Sequence, residues 1–122
     1  MRSIGYKGEK IAVDFLLSHG YKIIAKNYTR RGGEIDIIAE EQLPDKKVLA
    51  FVEVKYYKEK PLRQPWEAVD ARKQKRIRQT AARYVQENKL NDSYARFDIV
   101  LITSSSASTV QNIELIKDAF RD

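Results

Sequence analysis

Two neighbouring stretches alternate as β-strands do, and both place charge at one end of a face that a sheet should bury: Gly33-Glu34-Ile35-Asp36-Ile37-Ile38-Ala39 and Val48-Leu49-Ala50-Phe51-Val52-Glu53-Val54-Lys55. Side chains alternate across a strand, so Ile35, Ile37 and Ala39 are expected on one face, as are Val48, Ala50, Val52 and Val54. The opposite faces read Glu34, Asp36, Ile38 and Leu49, Phe51, Glu53, Lys55, apolar at the hairpin end and ionic at the far end. The polar segment Glu40 to Lys47 contains Pro44-Asp45 and reads as the hairpin loop. A turn centred between Pro44 and Asp45 sets Asp36 opposite Glu53 and Glu34 opposite Lys55. Two carboxylates about 4 Å apart repel by roughly 4 kcal/mol at an effective dielectric near 20. Such a pair destabilises a sheet and suits a divalent cation.

The 122 residues fit a single domain, 1–122, with a core of useful size. No apolar run approaches the roughly 20 residues of a membrane span. The N-terminal residues lack the apolar core of a signal peptide, and the expected location is the cytoplasm. With no cysteine and one histidine, His19, thiolate and multi-histidine metal sites are excluded. A net charge of +6 favours a polyanionic partner.

The pattern predicts a helix from Ser3 to about Ser18, ended by His19-Gly20. A strand over Tyr21 to Tyr28 follows, then the Arg30-Arg31-Gly32-Gly33 turn and the two charged strands. Pro61 and Pro65 mark a break before a helix expected from Trp66 to about Asn88, with Trp66, Val69, Lys73, Ile77, Ala81 and Tyr84 facing inward. Strands over Arg96–Thr103 and Val110–Ile116 complete the order αβββαββ. The packing this implies is α/β, a mixed five-stranded sheet flanked by helices.

Hard carboxylate oxygens suit Mg2+ or Mn2+, which polarise phosphoryl oxygens and activate water. Asp36 and Glu53 are the candidate ligands. Lys55, on the face of Glu53, is placed to orient a water or to stabilise developing charge. Glu34 is a secondary candidate, and the plain alternative is a set of solvated cross-strand ion pairs. Arg30 and Arg31 precede the acidic strand and are candidate phosphate contacts. On the long helix Lys73 lies on the inward stripe and can reach the site, and Arg76 is a further candidate on a basic face that solvation alone would also explain. Tyr56, Tyr57 and Trp66 could stack on bases, although Trp66 also fits a core position. Asp98 reads as structural, and His19 as a helix-end residue.

Glu34-Ile35-Asp36 followed by Glu53-Val54-Lys55 resembles the PD-(D/E)xK signature of restriction-endonuclease-like nucleases, with Ile35 in place of proline. The wider pattern is similar to the YraN-like family, a little-characterised bacterial group of that superfamily. It is carried by Gly5-x-x-Gly8-Glu9 with Ala12, Gly20-Tyr21, Asn27-Tyr28, the two charged strands, Pro65-x-Glu67-Ala68-Val69, Lys73, Lys75, Ile77, Tyr84, Phe97-Asp98-Ile99-Val100 and Asp118-Ala119-Phe120. The resemblance spans nearly the whole chain. It implies a restriction-endonuclease-like fold and a Mg2+- or Mn2+-dependent endodeoxyribonuclease acting on DNA, including branched DNA in repair or recombination. The superfamily's likeness to archaeal Holliday-junction resolvases implies a third metal ligand on the first helix. Glu9 fits that role, and fits equally a glutamate that favours the helix dipole. Junction cleavage would imply a homodimer. Two other readings remain: a catalytically silent nucleic-acid-binding adaptor on the same fold, and a protein–protein module with a basic helix.

Overall fold

The computed structural model describes residues 5–57, 69–106 and 109–121. Helix α1 (Gly5–Ser18) leads into strands β1 (Tyr21–Arg30), β2 (Gly33–Gln42) and β3 (Lys47–Tyr57). Helix α2 (Ala71–Glu87) then connects β3 to β4 (Tyr94–Ser106), and β5 (Thr109–Ile116) follows. This is the expected order αβββαββ. The five strands form one mixed sheet in chain order, antiparallel except for the parallel pair β3 and β4. A parallel neighbour needs a crossover, and α2 lies within that connection.

Both sheet faces are covered. Ala12 and Leu16 of α1 pack on Ile37, Ala39, Ala50, Val52, Val54, Val100 and Ile102. Ile77, Ala81 and Tyr84 of α2 pack on the other face with Ile38, Leu49, Phe51 and Ile99. That explains why β3 is buried continuously from Val48 to Val54, charge included.

The β2–β3 register is the one expected. Ile37 pairs with Val52, Ala39 with Ala50 and Gln42 with Lys47. The strands run further toward the turn than their apolar residues suggest, which leaves a short loop closed by Leu43 N–H on the Lys46 carbonyl at 2.8 Å. Helix α1 ends as read, with Gly20 at φ 85° and His19 stacked on Phe15.

Helix α2 starts later than its apolar stripe implies. Asp70 is extended (φ −71°, ψ 170°), and its carboxylate accepts from Lys73 N–H at 2.9 Å, so it caps a helix that begins at Ala71. Val69 is buried but lies before the cap. Trp66, Pro61 and Pro65 fall outside the described residues.

Gly33 is where α2 meets the β1–β2 turn. A Cβ there would collide with the Thr80 hydroxyl and lie 3.2 Å from the Arg76 carbonyl. Thr80 is buried and donates to that same carbonyl at 2.8 Å, so it cannot swing away without losing the bond. Gly33→Ala is expected to cost about 1–3 kcal/mol through overpacking. Urea unfolding should show part of this recovered in Gly33→Ala/Thr80→Ala, where the clashing group is gone.

Candidate active site

Regular alternation fails at one place in β2, and that place is Asp36. Lys26 pairs with Ile37 and Tyr28 with Ile35, so Asn27 of β1 stands opposite Asp36. Asn27 adopts φ 53°, a left-handed conformation that asparagine tolerates better than most residues. Across this point the faces exchange. Ala25 and Ile38 lie on the α2 side, and so do Tyr28 and Ile35. Ile35 therefore does not share a face with Ile37 and Ala39, contrary to simple alternation.

The reversal gives Asp36 its position. The β2–β3 ladder ends at Ile37 and Val52, and beyond it the Asp36 carboxylate accepts the Val54 N–H at 2.8 Å. A side chain thus satisfies a backbone donor where the strands part, and the carboxylate is held in a buried position.

Glu53 follows Leu49 and Phe51 on the α2 face of β3 and is only 4% exposed. Two lysines converge on it. Lys73 of α2 places Nζ 2.5 Å from Glu53 Oε2, and Lys55 Nζ lies 3.8 Å from the same oxygen. Burial works to lower the Lys73 pKa, but the Glu53 hydrogen bond and charge, with the Asp36 charge, outweigh it and raise the value. Lys73 thus feels both carboxylates at once. Asp36, Glu53, Lys55 and Lys73 are brought to one location by β2, β3 and α2.

Glu9 is bound by Asn27 Nδ2 at 2.9 Å and lies 3.6 Å from Lys26 Nζ. Among the described residues no group of three or more His, Cys, Asp or Glu side chains that could hold a metal is found. Arg30 is engaged by Glu87 at 3.0 and 3.3 Å and lies over the Tyr28 ring, which commits its charge within the protein. Arg31 and Arg76 are exposed. Glu34 pairs across to Thr29 of β1, and the expected pairing of Lys55 with Glu34 is replaced by Lys55 with Glu53. Tyr56 and Tyr57 are half-buried.

The opposite end of the sheet holds a buried ionic network. Asp98 is fully buried and accepts from Arg96 Nε at 2.8 Å, Arg96 Nη2 at 2.9 Å, Asp118 N–H at 3.0 Å and Tyr21 hydroxyl at 3.3 Å. Arg96 also donates to Glu41 at 2.8 Å, and Glu41 takes Lys117 at 2.5 Å. Burial, then the Asp98 charge, push the Tyr21 phenol well above its usual range. Burial alone would raise Glu41, but the Lys117 and Arg96 hydrogen bonds bring it below the usual carboxylate value. The structural reading of Asp98 is correct. Its partners are separated by up to 77 positions and carry no local spacing signal. A recess of about 570 Å³ lies at this end among Leu43, Tyr94, Arg96 and Phe97, away from the carboxylate–lysine group.

The fold and site define an α/β protein whose mixed sheet presents an Asp and a Glu-x-Lys on adjacent strands where those strands separate. The chain belongs to the uncharacterised protein family UPF0102, whose family model matches residues 8–102. A UPF0102 protein of Caldicellulosiruptor bescii is 42% identical over 121 residues, covering 98% of both chains. Another from Pelobacter propionicus is 39% identical over 119 residues, covering 98% of this chain and 83% of its own, and one from Clostridium perfringens is 38% identical over 120 residues. This is the family expected from the sequence motifs. No described helix is long and apolar enough to cross a membrane.

Proposed function

We propose that the chain is a metal-dependent nuclease acting on DNA, with Asp36 and Glu53 as ligands and Lys55 as the catalytic cation. The observation that carries this reading is the convergence of Lys55 and Lys73 on a buried Glu53 beside Asp36, where the β2–β3 ladder gives way to a carboxylate. Two buried hard-oxygen donors fit Mg2+ or Mn2+, since magnesium is commonly held by one or two carboxylates completed by water and substrate phosphate. When bound, such a cation would polarise the phosphoryl group and lower the pKa of water. Lys55 would hold the attacking water or meet the charge that develops on phosphate. Lys73 would neutralise Glu53 when no other cation does so. The nucleic-acid partner is supported by the +6 charge.

Titrating the purified protein with Mn2+ tests the ligand assignment. Saturable binding should weaken by more than tenfold in Asp36→Ala/Glu53→Ala, and cleavage of branched, nicked, duplex or single-stranded DNA should disappear with it. Binding unchanged in that variant would remove the assignment.

One observation favours a catalytically silent DNA-binding adaptor instead: Glu53 is already ion-paired by Lys73. That reading predicts salt-sensitive DNA binding with no cleavage of any of these substrates in Mn2+, unaffected by Lys55→Ala.

A further inference from the structure

The β1–β2 turn and α2 enclose a second recess, of about 180 Å³, lined by Arg30, Arg31, Gly32, Gln79, Thr80 and Arg83. We infer that it is a phosphate subsite, holding one phosphoryl group of a nucleic-acid strand at a set distance from Asp36 and Glu53. The inference rests on the nucleic-acid reading above and adds to it the point at which the strand is anchored.

Size comes first. Pockets that enclose a drug-sized molecule run to roughly 300–1,000 Å³. This recess is smaller and admits a phosphoryl group with little else.

Charge comes next. Arg30 is balanced by Glu87, through hydrogen bonds to both carboxylate oxygens. Arg31 and Arg83 form no ion pair with a carboxylate among the described residues. Arg83 does act on Glu87 at longer range, helping to lower its pKa after the Arg30 and Tyr28 hydrogen bonds. Two guanidinium charges therefore remain to face an anion in the recess. Guanidinium forks match phosphate oxygens in pairs, and the Gln79 amide adds a neutral donor. Thr80 is less available, because its hydroxyl is committed to the Arg76 carbonyl.

Rigidity is the third argument. Gly32 turns the chain at φ 90°, and Gly33 brings the turn against Thr80 and the Arg76 carbonyl with no room for a side chain. The two walls of the recess are thereby fixed to each other, so an anion would meet a formed site and lose less entropy in ordering it.

The spacing ties the recess to the carboxylates. Thr80 lies seven residues beyond Lys73 on α2, about 10 Å along the helix axis at 1.5 Å per residue. Phosphates on one strand of a B-form duplex advance about 3.4 Å each. An anchored phosphate would then lie within about one to three nucleotides of the phosphate at Asp36 and Glu53, depending on how the duplex axis runs relative to α2.

The test is fluorescence anisotropy across a salt series, in EDTA so that no cleavage occurs, on a short duplex with and without a 5′-phosphate. Arg31→Gln/Arg83→Gln should weaken binding about tenfold and reduce the salt slope by about one to two phosphate contacts. Lys10→Gln, an exposed lysine paired to Asp14 on α1, serves as control and should stay within about twofold. Equal losses on both duplexes would assign the recess to an internal phosphate, and a loss confined to the phosphorylated duplex would assign it to a strand end. Parental affinity and slope in the double variant on both duplexes would overturn the subsite, as would a parent that does not bind DNA. Arginine-dependent binding by a protein that cleaves no substrate in Mn2+ would support the subsite while removing the nuclease reading alone.

Discussion

Lys55→Ala is expected to slow DNA cleavage by about 100- to 1,000-fold, the usual cost of deleting one preorganised donor to transition-state charge. DNA affinity should change by no more than about threefold, since one phosphate contact among many is lost. The physical ground is the unequal hold of Glu53 on its two lysines. Lys55 lies 3.8 Å from the carboxylate and is 21% exposed, so its ammonium is directed but not consumed. Lys73, at 2.5 Å and with a raised pKa, is the tight partner. Lys73→Met should therefore behave differently. It removes the ammonium that competes for Glu53, and Mn2+ should bind several-fold more tightly because like charges at about 4 Å oppose each other strongly. Single-turnover cleavage and Mn2+ titration on the same two variants separate these roles. If both substitutions slow cleavage equally and leave Mn2+ affinity unchanged, the division of labour between Lys55 and Lys73 is wrong.

The sheet was legible because its chemistry is local. Alternation in β2 and β3, the Pro44-Asp45 turn and the apolar far ends of both faces were enough to set the register, and the register brought Asp36 toward Glu53. The helix stripe also led to Lys73. What the pattern hid were places where a single backbone angle or a capping bond decides. Asn27 at φ 53° reverses the faces of β1 and β2, so Ile35 changes sides, and nothing in a period-two reading signals that. Asp70 caps α2 at a point where the apolar stripe continues backward through Val69, and the stripe alone ran past it. Arg30 looked available for phosphate because its partner Glu87 lies 57 positions away. Glu9 likewise finds Asn27 across 18 positions, a contact set by how α1 crosses β1. Spacing reveals which residues share a face. It does not reveal which oppositely charged residues from distant elements meet there.

Asp98→Ala is expected to lower stability by about 3–5 kcal/mol, the cost of removing one partner from a buried ionic group. Four hydrogen bonds are lost at once, from Nε and Nη2 of Arg96, the Tyr21 hydroxyl and the Asp118 amide. Arg96 keeps Glu41, so its charge is not left wholly unpaired, and this holds the loss near the lower end of the range. The Asp118 amide has no such reserve, and the segment after β5 depends on it. Asp118 adopts φ 55°, Ala119 N–H donates to the Phe97 carbonyl at 2.7 Å, and Phe120 stacks on Phe97 with ring centroids 5.0 Å apart. Asp98→Asn should cost less, about 2 kcal/mol, because the amide oxygen preserves part of the hydrogen bonding while the charge is lost. Against a total stability of roughly 5–15 kcal/mol the alanine variant should melt well below the parent, with the asparagine variant between them. Denaturant unfolding gives the three values. An alanine variant within about 1 kcal/mol of the parent would mean that this network does not hold the end of the sheet and that the C-terminal segment is fixed by Phe97 and Phe120 alone.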